Sequence, residues 1–264
     1  MAEVLGQQVA APTRYAPEVL EAIRRQPTSV GRRFGVDVWH LYELSWLIGH
    51  QGGVFRPSQH IGVLAIPADS PATVESKSLK LYLNSLNFES FGSDLEAVAC
   101  IQNDLYPICG VRPELQLYGP TEIGLITKEP MAELLDEQVA VDAPSVVLDT
   151  LAEDEGAQER VSLVSHRLRS LCPVTAQPDW ATVVIHHQGR RINRQGLLAY
   201  IDSFREHQDF HEQCIEAIFG RLVEDLAPHS LTVTGYYQRR GGIDITPHRS
   251  TQPVSPPIFR MGRQ

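Results

Sequence analysis

A chain of 264 residues, 42% hydrophobic and 21% charged, has room for one large domain or two ordinary ones and is too apolar to be disordered. Its net charge of −9 argues against a broad nucleic-acid footprint, so no nucleic-acid partner is expected. The apolar runs fall short of the roughly 20 residues of a membrane span, so no membrane partner is expected either. Four cysteines (Cys100, Cys109, Cys172, Cys214), with no C-x-x-C, point to reduced thiols rather than a disulfide framework. The first residues show neither the basic start nor the apolar centre of a secretory signal, which makes the cytoplasm the expected compartment.

In chain order, Asp37 to Leu47 alternates like a strand, and His60 to Ile66 follows as a second. Leu79, Tyr82, Leu83 and Leu86 then recur at helical spacing. Ser93-Asp-Leu-Glu96 reads as a capping box, with Ser93 bonding a first-turn amide and Glu96 reaching back. The helix behind it is predicted to run to about Leu105. Glu114 to Tyr118 returns to strand alternation.

The second half repeats the order. Arg160 to His166 is a strand, and Trp180 to His187, rich in β-branched residues, is a stronger one. Helical stripes follow at Leu197, Leu198, Ile201 and Phe204, then at Cys214, Ile218, Leu222 and Leu226. Leu231 to Tyr237 closes as a strand. Two strands, two helices and a further strand thus occur twice, although the residues barely match. This predicts an extension over 1–34, a first module over 35–130, an acidic connector over 131–159 with one extended piece near Ser145 to Leu148, a second module over 160–250, and a tail over 251–264. Both tails, to about Gln26 and from about Thr251, are expected to lie along the surface.

Four constellations could carry chemistry. Cys172 stands at the head of a short loop bracketed by Pro173 and Pro178 between two strands, with Asp179 close by: a thiol nucleophile and a proton source in the kind of loop where catalytic groups collect. His211 and Glu212 open a helix. Cys214 follows Gln213, so there is no H-E-x-x-H zinc motif. Glu75 also opens a helix, and the two helix starts read as equivalent. A carboxylate accepts two parallel donors, such as the ring N–H and amine of a guanine-like edge. Ser76, Lys77 and Lys80 beside Glu75 could serve a phosphate. Arg239-Arg-Gly-Gly242 is a turn of positive φ or an anion clip. No G-x-G-x-x-G follows a strand, so any dinucleotide site lies outside a Rossmann fold. The ten histidines form no evident metal triad, and His186 and His187 point to opposite faces of one strand.

Together, Glu75-Ser-Lys-Ser-Leu-Lys-Leu-Tyr82, the Cys172 to Trp180 loop, Phe210-His-Glu212 and Arg239-Arg-Gly-Gly242 resemble the NADPH-dependent 7-cyano-7-deazaguanine reductases, the nitrile reductases of queuosine biosynthesis, in their long two-module form. The resemblance spans about Asp37 to Arg249. It implies an α+β class of tandem tunnelling-fold modules, each an antiparallel sheet with two helices between its second and third strands, assembled as a homodimer. It implies reduction of 7-cyano-7-deazaguanine to the aminomethyl product with two NADPH per turnover and no metal. Cys172 would form a thioimidate, Asp179 would supply the proton, and His211 would assist. Val74, Glu75, Ser76, His211 and Glu212 would bind substrate. Ser76, Lys77, Arg240 and Gly241 would hold NADPH. Pro173 and His248 match no part of the pattern. The rival readings are a metal-dependent pterin-type enzyme of the same fold and a non-catalytic module that binds a modified base.

Overall fold

The structure is a computed structural model and describes residues 11–26, 34–50, 54–120, 131–137, 150–153 and 156–264. The elements in chain order are β1 (Ala22–Arg24), β2 (Phe34–His50), β3 (Val54–Pro67), β4 (Ala72–Val74), α1 (Ser76–Ser85), β5 (Ser90–Phe91), α2 (Asp94–Cys109), β6 (Glu114–Tyr118), β7 (Glu133–Leu134), β8 (Gln158–Leu171), β9 (Pro178–Arg190), α3 (Arg194–Asp202), α4 (His211–Leu226), β10 (Ser230–Tyr237) and β11 (Ile243–Ser250). The class is α+β, with four α-helices among the described residues. Contacts divide the chain into two compact units: residues 1–25, 38–125 and 239–244 in the first, and 26–37, 126–238 and 245–264 in the second.

In the first unit the strands run β6-β3-β2, with β6 antiparallel to β3 and the short β5 parallel to β2. The core beside them is made by Trp39, Leu41, Leu64 and Ile66 from strands and Leu79, Tyr82, Ile101 and Leu105 from helices, all buried. Ser93 accepts from the Glu96 amide at 3.3 Å, as the capping box requires. The Glu96 carboxylate, however, accepts from Gly92 N–H at 2.8 Å, one residue upstream of the cap. α2 also runs a turn past Leu105, through Pro107, and stops where Gly110 turns left-handed (φ +74°) and its N–H caps the Tyr106 carbonyl.

In the second unit the order is β11-β10-β9-β8-β7. The pairs β8–β9, β9–β10 and β10–β11 are antiparallel, and the short β7 adds in parallel. α3 and α4 lie between β9 and β10 in sequence and bury Leu197, Leu198, Ile201, Ile215, Ile218 and Leu222 with Val183, Ile185, Leu231 and Val233 of the sheet. Strand, strand, helix, helix, strand thus appears in both units. The sheets are mixed rather than purely antiparallel, because β5 and β7 pair in parallel; these two-residue strands carry no period in sequence.

Three expectations need correction. Ile243 to Ser250 is a strand, although the closing strand was placed at Leu231 to Tyr237. Pro247 interrupts the run, and the buried Asp244, Thr246, His248, Arg249 and Ser250 hide it from any apolar pattern. The N-terminal segment is not a surface tail: Ala16 and Leu20 are buried, β1 pairs with β4, and Glu75 N–H donates to the Glu21 carbonyl at 2.8 Å. The C-terminal segment also packs, with Met261 buried against Val164 and Val184. The extended piece expected near Ser145 to Leu148 lies outside the described residues.

Candidate active site

The second unit holds the first group of candidate residues. β8 and β9 form a hairpin in which Leu171 faces Pro178 and Ser170 faces Asp179. The ladder continues one step further, because Cys172 N–H donates to the Gln177 carbonyl at 2.9 Å. Residues two apart on a strand share a face, so Cys172 lies on the face of Ser170 and of its partner Asp179. The turn closes through Ala176 N–H to the Cys172 carbonyl at 3.0 Å, with Ala176 left-handed at φ +54°. Cys172 is a free, partly exposed thiol, whereas Asp179 is buried.

The chain leading into α4 is tied to this hairpin. Leu171 N–H donates to the His207 carbonyl at 2.8 Å, and Asp209 N–H donates to the Leu171 carbonyl at 3.2 Å. These bonds set the start of α4 beside the end of β8. His211 Nε2 lies 3.3 Å from an Asp179 oxygen. The imidazole stacks on the Tyr237 ring at 3.9 Å between centroids and 10° between planes. Glu212, in the first turn of α4, is buried. An acid and an imidazole therefore meet, the acid sharing its hairpin face with a partly exposed thiol, and a buried second carboxylate follows the imidazole in sequence. Cys214, one residue past Gln213, is different: burial pushes its thiol up to about 12. It packs in the core, as its helical stripe implied.

The first unit holds the second group. Val74 ends β4 and is buried. Glu75 is the N-cap of α1, its carboxylate accepting from Lys77 N–H at 2.9 Å and Ser78 N–H at 2.6 Å. Glu75 and Glu212 are therefore not equivalent. Glu75 caps the first helix of its half, whereas Glu212 sits inside the first turn of the second helix of the other. The position matching Glu75 is Asn193, the N-cap of α3. Ser76 is exposed, with its hydroxyl 3.4 Å from Glu75 Oε1.

Arg240 and Ile243 exchange backbone hydrogen bonds across Gly241 and Gly242, at φ +58° and +84°. Two consecutive left-handed residues suit glycine and define a tight hairpin turn. A Cβ at Gly241 would stand 2.9 Å from Lys80 Nζ. The missing side chain thus lets the lysine ammonium lie against the turn. Arg239 stacks over Tyr42 at 4.1 Å and bonds Glu43 at 3.2 Å. The result is a cationic surface with exposed backbone, suited to phosphate groups. Lys80 was noted in the sequence for its charge, but its place against Gly241 was not legible there.

Ser58, His60 and Asp94 also meet, but both Ser58 Oγ and Asp94 Oδ1 contact the same ring nitrogen, His60 Nε2, at 2.6 and 3.0 Å. A nucleophile–base–acid relay needs the two nitrogens to serve different partners, so this cluster is not one. Its ties to Trp46 Nε1 and His60 hold the Asp94 carboxyl below the usual range against the opposing effect of burial. Among the described residues no three His, Cys, Asp or Glu side chains group as metal ligands.

Residues 12–117 match the family model described as nitrile reductase, 7-cyano-7-deazaguanine-reductase N-term, and residues 178–255 match that of QueF-like protein. The NADPH-dependent 7-cyano-7-deazaguanine reductase of Acinetobacter baumannii (strain SDF) is 40% identical over 274 residues, covering 99% of this chain and 98% of the relative. The chain belongs to the 7-cyano-7-deazaguanine reductase family. The reductase of that name from Xanthomonas campestris pv. campestris (strain 8004) is 42% identical over 269 residues, 98% of this chain and 97% of the relative. A crystal structure of the archaeosine synthase QueF-Like in the apo form aligns with a TM-score of 0.33 and 16% identity, over 39% of this chain and 100% of that one. In this reductase, Cys172 lies six residues before the QueF-like match begins and Asp179 lies inside it, so the loop from Cys172 to Asp179 straddles that boundary.

Proposed function

We propose that this member of the reductase family converts 7-cyano-7-deazaguanine to 7-aminomethyl-7-deazaguanine through a covalent thioimidate on Cys172, the step that supplies queuosine biosynthesis. The reading rests on the β8–β9 hairpin, which sets Cys172 and Asp179 on one face, with His211 against the Asp179 carboxylate at 3.3 Å. The Cys172 sulfur bonds to the nitrile carbon, and one C–N π bond breaks. The nitrogen takes its proton from Asp179, giving C(=NH)–S. Bound NADPH supplies the hydride equivalents, two in all, that complete the four-electron reduction. Between them the Cys172 thiolate leaves and an imine forms. His211 returns protons to Asp179 between steps. Glu212, which follows His211 and is buried, and Glu75 are the acceptors for the donor edge of the deazaguanine, with Val74 and Ser76 as further substrate contacts.

The donors Ser76, Lys77, Arg240 and the Gly241 backbone fit the phosphates of NADPH, and Lys80 against Gly241 extends the same cationic surface. Each half is read as a tunnelling-fold module, over 35–130 and 160–250, with the intervening 131–159 as connector. The assembly is a homodimer in the cytoplasm.

The test is intact-mass spectrometry of the protein mixed with the nitrile alone. One adduct per chain of the nitrile's full mass is expected, and Cys172→Ala abolishes it. An adduct that survives Cys172→Ala, or NADPH oxidation without any Cys172 dependence, overturns the reading.

A further inference from the structure

Tyr237 belongs to no part of the machinery described above, yet its whole ring lies under His211. It is fully buried at the end of β10. Its hydroxyl sits with the Ser170 hydroxyl and the Cys214 thiol, and the Tyr237 and Ser170 hydroxyls are buried without a hydrogen bond of ordinary geometry. A ring so enclosed cannot swing aside, because protein interiors are packed at crystal density. One face of the ring stacks on the His211 imidazole, at 3.9 Å between centroids and 10° between planes. The same imidazole is buried at Nδ1 without a partner, so no hydrogen bond on that side fixes the ring plane. What orients Nε2 towards Asp179 is the stack.

Gly235, two residues earlier on the same face of β10, makes the stack possible. A Cβ there would lie 2.4 Å from Ile215 Cδ1 and 3.2 Å from Tyr237 Cε2. Ile215 is on α4, one turn past His211, so the missing side chain sets how closely α4 approaches β10.

We propose that Tyr237 is a positioning residue for this reaction: its ring is the platform that holds the His211 imidazole in line with Asp179, and Gly235 sets the height of the helix that carries the imidazole. The imidazole meets Asp179 on β9 and Tyr237 on β10, while Ser170 on β8 and Cys214 on α4 surround the Tyr237 hydroxyl. Tyr237 is the one that meets the imidazole face to face. This rests on the proposed role of His211 in the proton transfers. A misplacement of about 1 Å in such a group costs about a hundredfold in rate.

The experiment compares Tyr237→Phe, Tyr237→Leu and His211→Ala in steady-state kinetics. Proton NMR of the free protein reads the stack directly. In the unaltered protein the His211 ring protons, identified by their loss in His211→Ala, are expected upfield of ordinary histidine protons. Tyr237→Leu should move them downfield. Tyr237→Leu should lower kcat by about a hundredfold with KM changed far less, whereas Tyr237→Phe, which keeps the ring, should retain most of kcat. An unshifted His211 signal in the unaltered protein overturns the proposal even if the leucine variant does not fold. Equal losses in the phenylalanine and leucine variants overturn it as well, since the hydroxyl rather than the ring would then matter. If His211→Ala slows turnover and Tyr237→Leu does not, only the platform fails. If His211→Ala itself is silent, the assignment of His211 to proton transfer falls, and the platform falls with it.

Discussion

Arg249→Met should destabilise the second unit by about 3–5 kcal/mol, the usual cost of orphaning one partner of a buried ion pair. Arg249 Nη1 donates to Asp37 at 2.7 Å and to the His248 carbonyl at 3.0 Å, and Nε donates to Glu216 at 2.7 Å. Side-chain exposure is 1% for Arg249, 0% for Asp37 and 13% for Glu216. Burial alone would push the guanidinium towards its neutral form, but the two carboxylates more than offset it. Methionine keeps the length and apolar stem of the side chain and removes the cation. Glu216 can then turn to water, whereas Asp37 cannot, so most of the cost falls on Asp37. At about 2–4 °C per kcal/mol, the loss corresponds to a fall in Tm of about 6–20 °C. Urea unfolding followed by circular dichroism should show a lower midpoint at unchanged slope. Arg249→Met with Asp37→Asn should recover part of the loss, because no bare charge is left. A single variant that loses less than about 1 kcal/mol, or a double variant no better than the single, would refute the argument.

Two further outcomes follow from the geometry. Asp179→Asn should still bind the nitrile substrate but lower kcat by about 10²–10⁴-fold, as expected for loss of a positioned acid; kinetics with unchanged kcat would remove Asp179 from the mechanism. His248 is pushed down to about 4, first by burial and then by the Arg249 and His186 charges, with Asp37 opposing. Its neutral form is favoured in the fold, so the stability it contributes is present above about pH 6.5 and is lost as pH falls towards 4, about 3 kcal/mol in all. Melting curves between pH 7.5 and 4.5 should fall less steeply for His248→Gln than for the unaltered protein. Parallel curves would contradict this.

The repeat of strand, strand, helix, helix, strand was legible because its residues obey simple periods. Val183, Val184 and Ile185 make β9 plain, and Cys214, Ile218, Leu222 and Leu226 mark the buried stripe of α4. β11 was not legible, since its buried side chains are largely polar and satisfied by partners far along the chain, such as Asp37 for Arg249. At the site, Cys172 and Asp179 are close in sequence, so a hairpin was the natural inference. The contact from Asp179 to His211 depends on residues 207–209 lying against the end of β8, which no local pattern announces. Tyr237 was visible only as the last apolar residue of a strand. Glu75 and Glu212 looked alike because both stand at helix starts; the capping bonds and the helix each one opens tell them apart.

Those capping bonds have a price at the bench. Each Glu75 oxygen already serves an amide of α1, so the group proposed to grip the heterocycle also starts the helix that carries Lys77 and Lys80. Shortening or neutralising Glu75 will fray that helix while it weakens ligand affinity, and a titration alone will not separate the two. Glu212 is not the cap of its helix, whose N-cap is Phe210 with no side-chain cap bond. Changing it removes no helix cap, so a loss of affinity there is easier to separate from the fraying of a helix start.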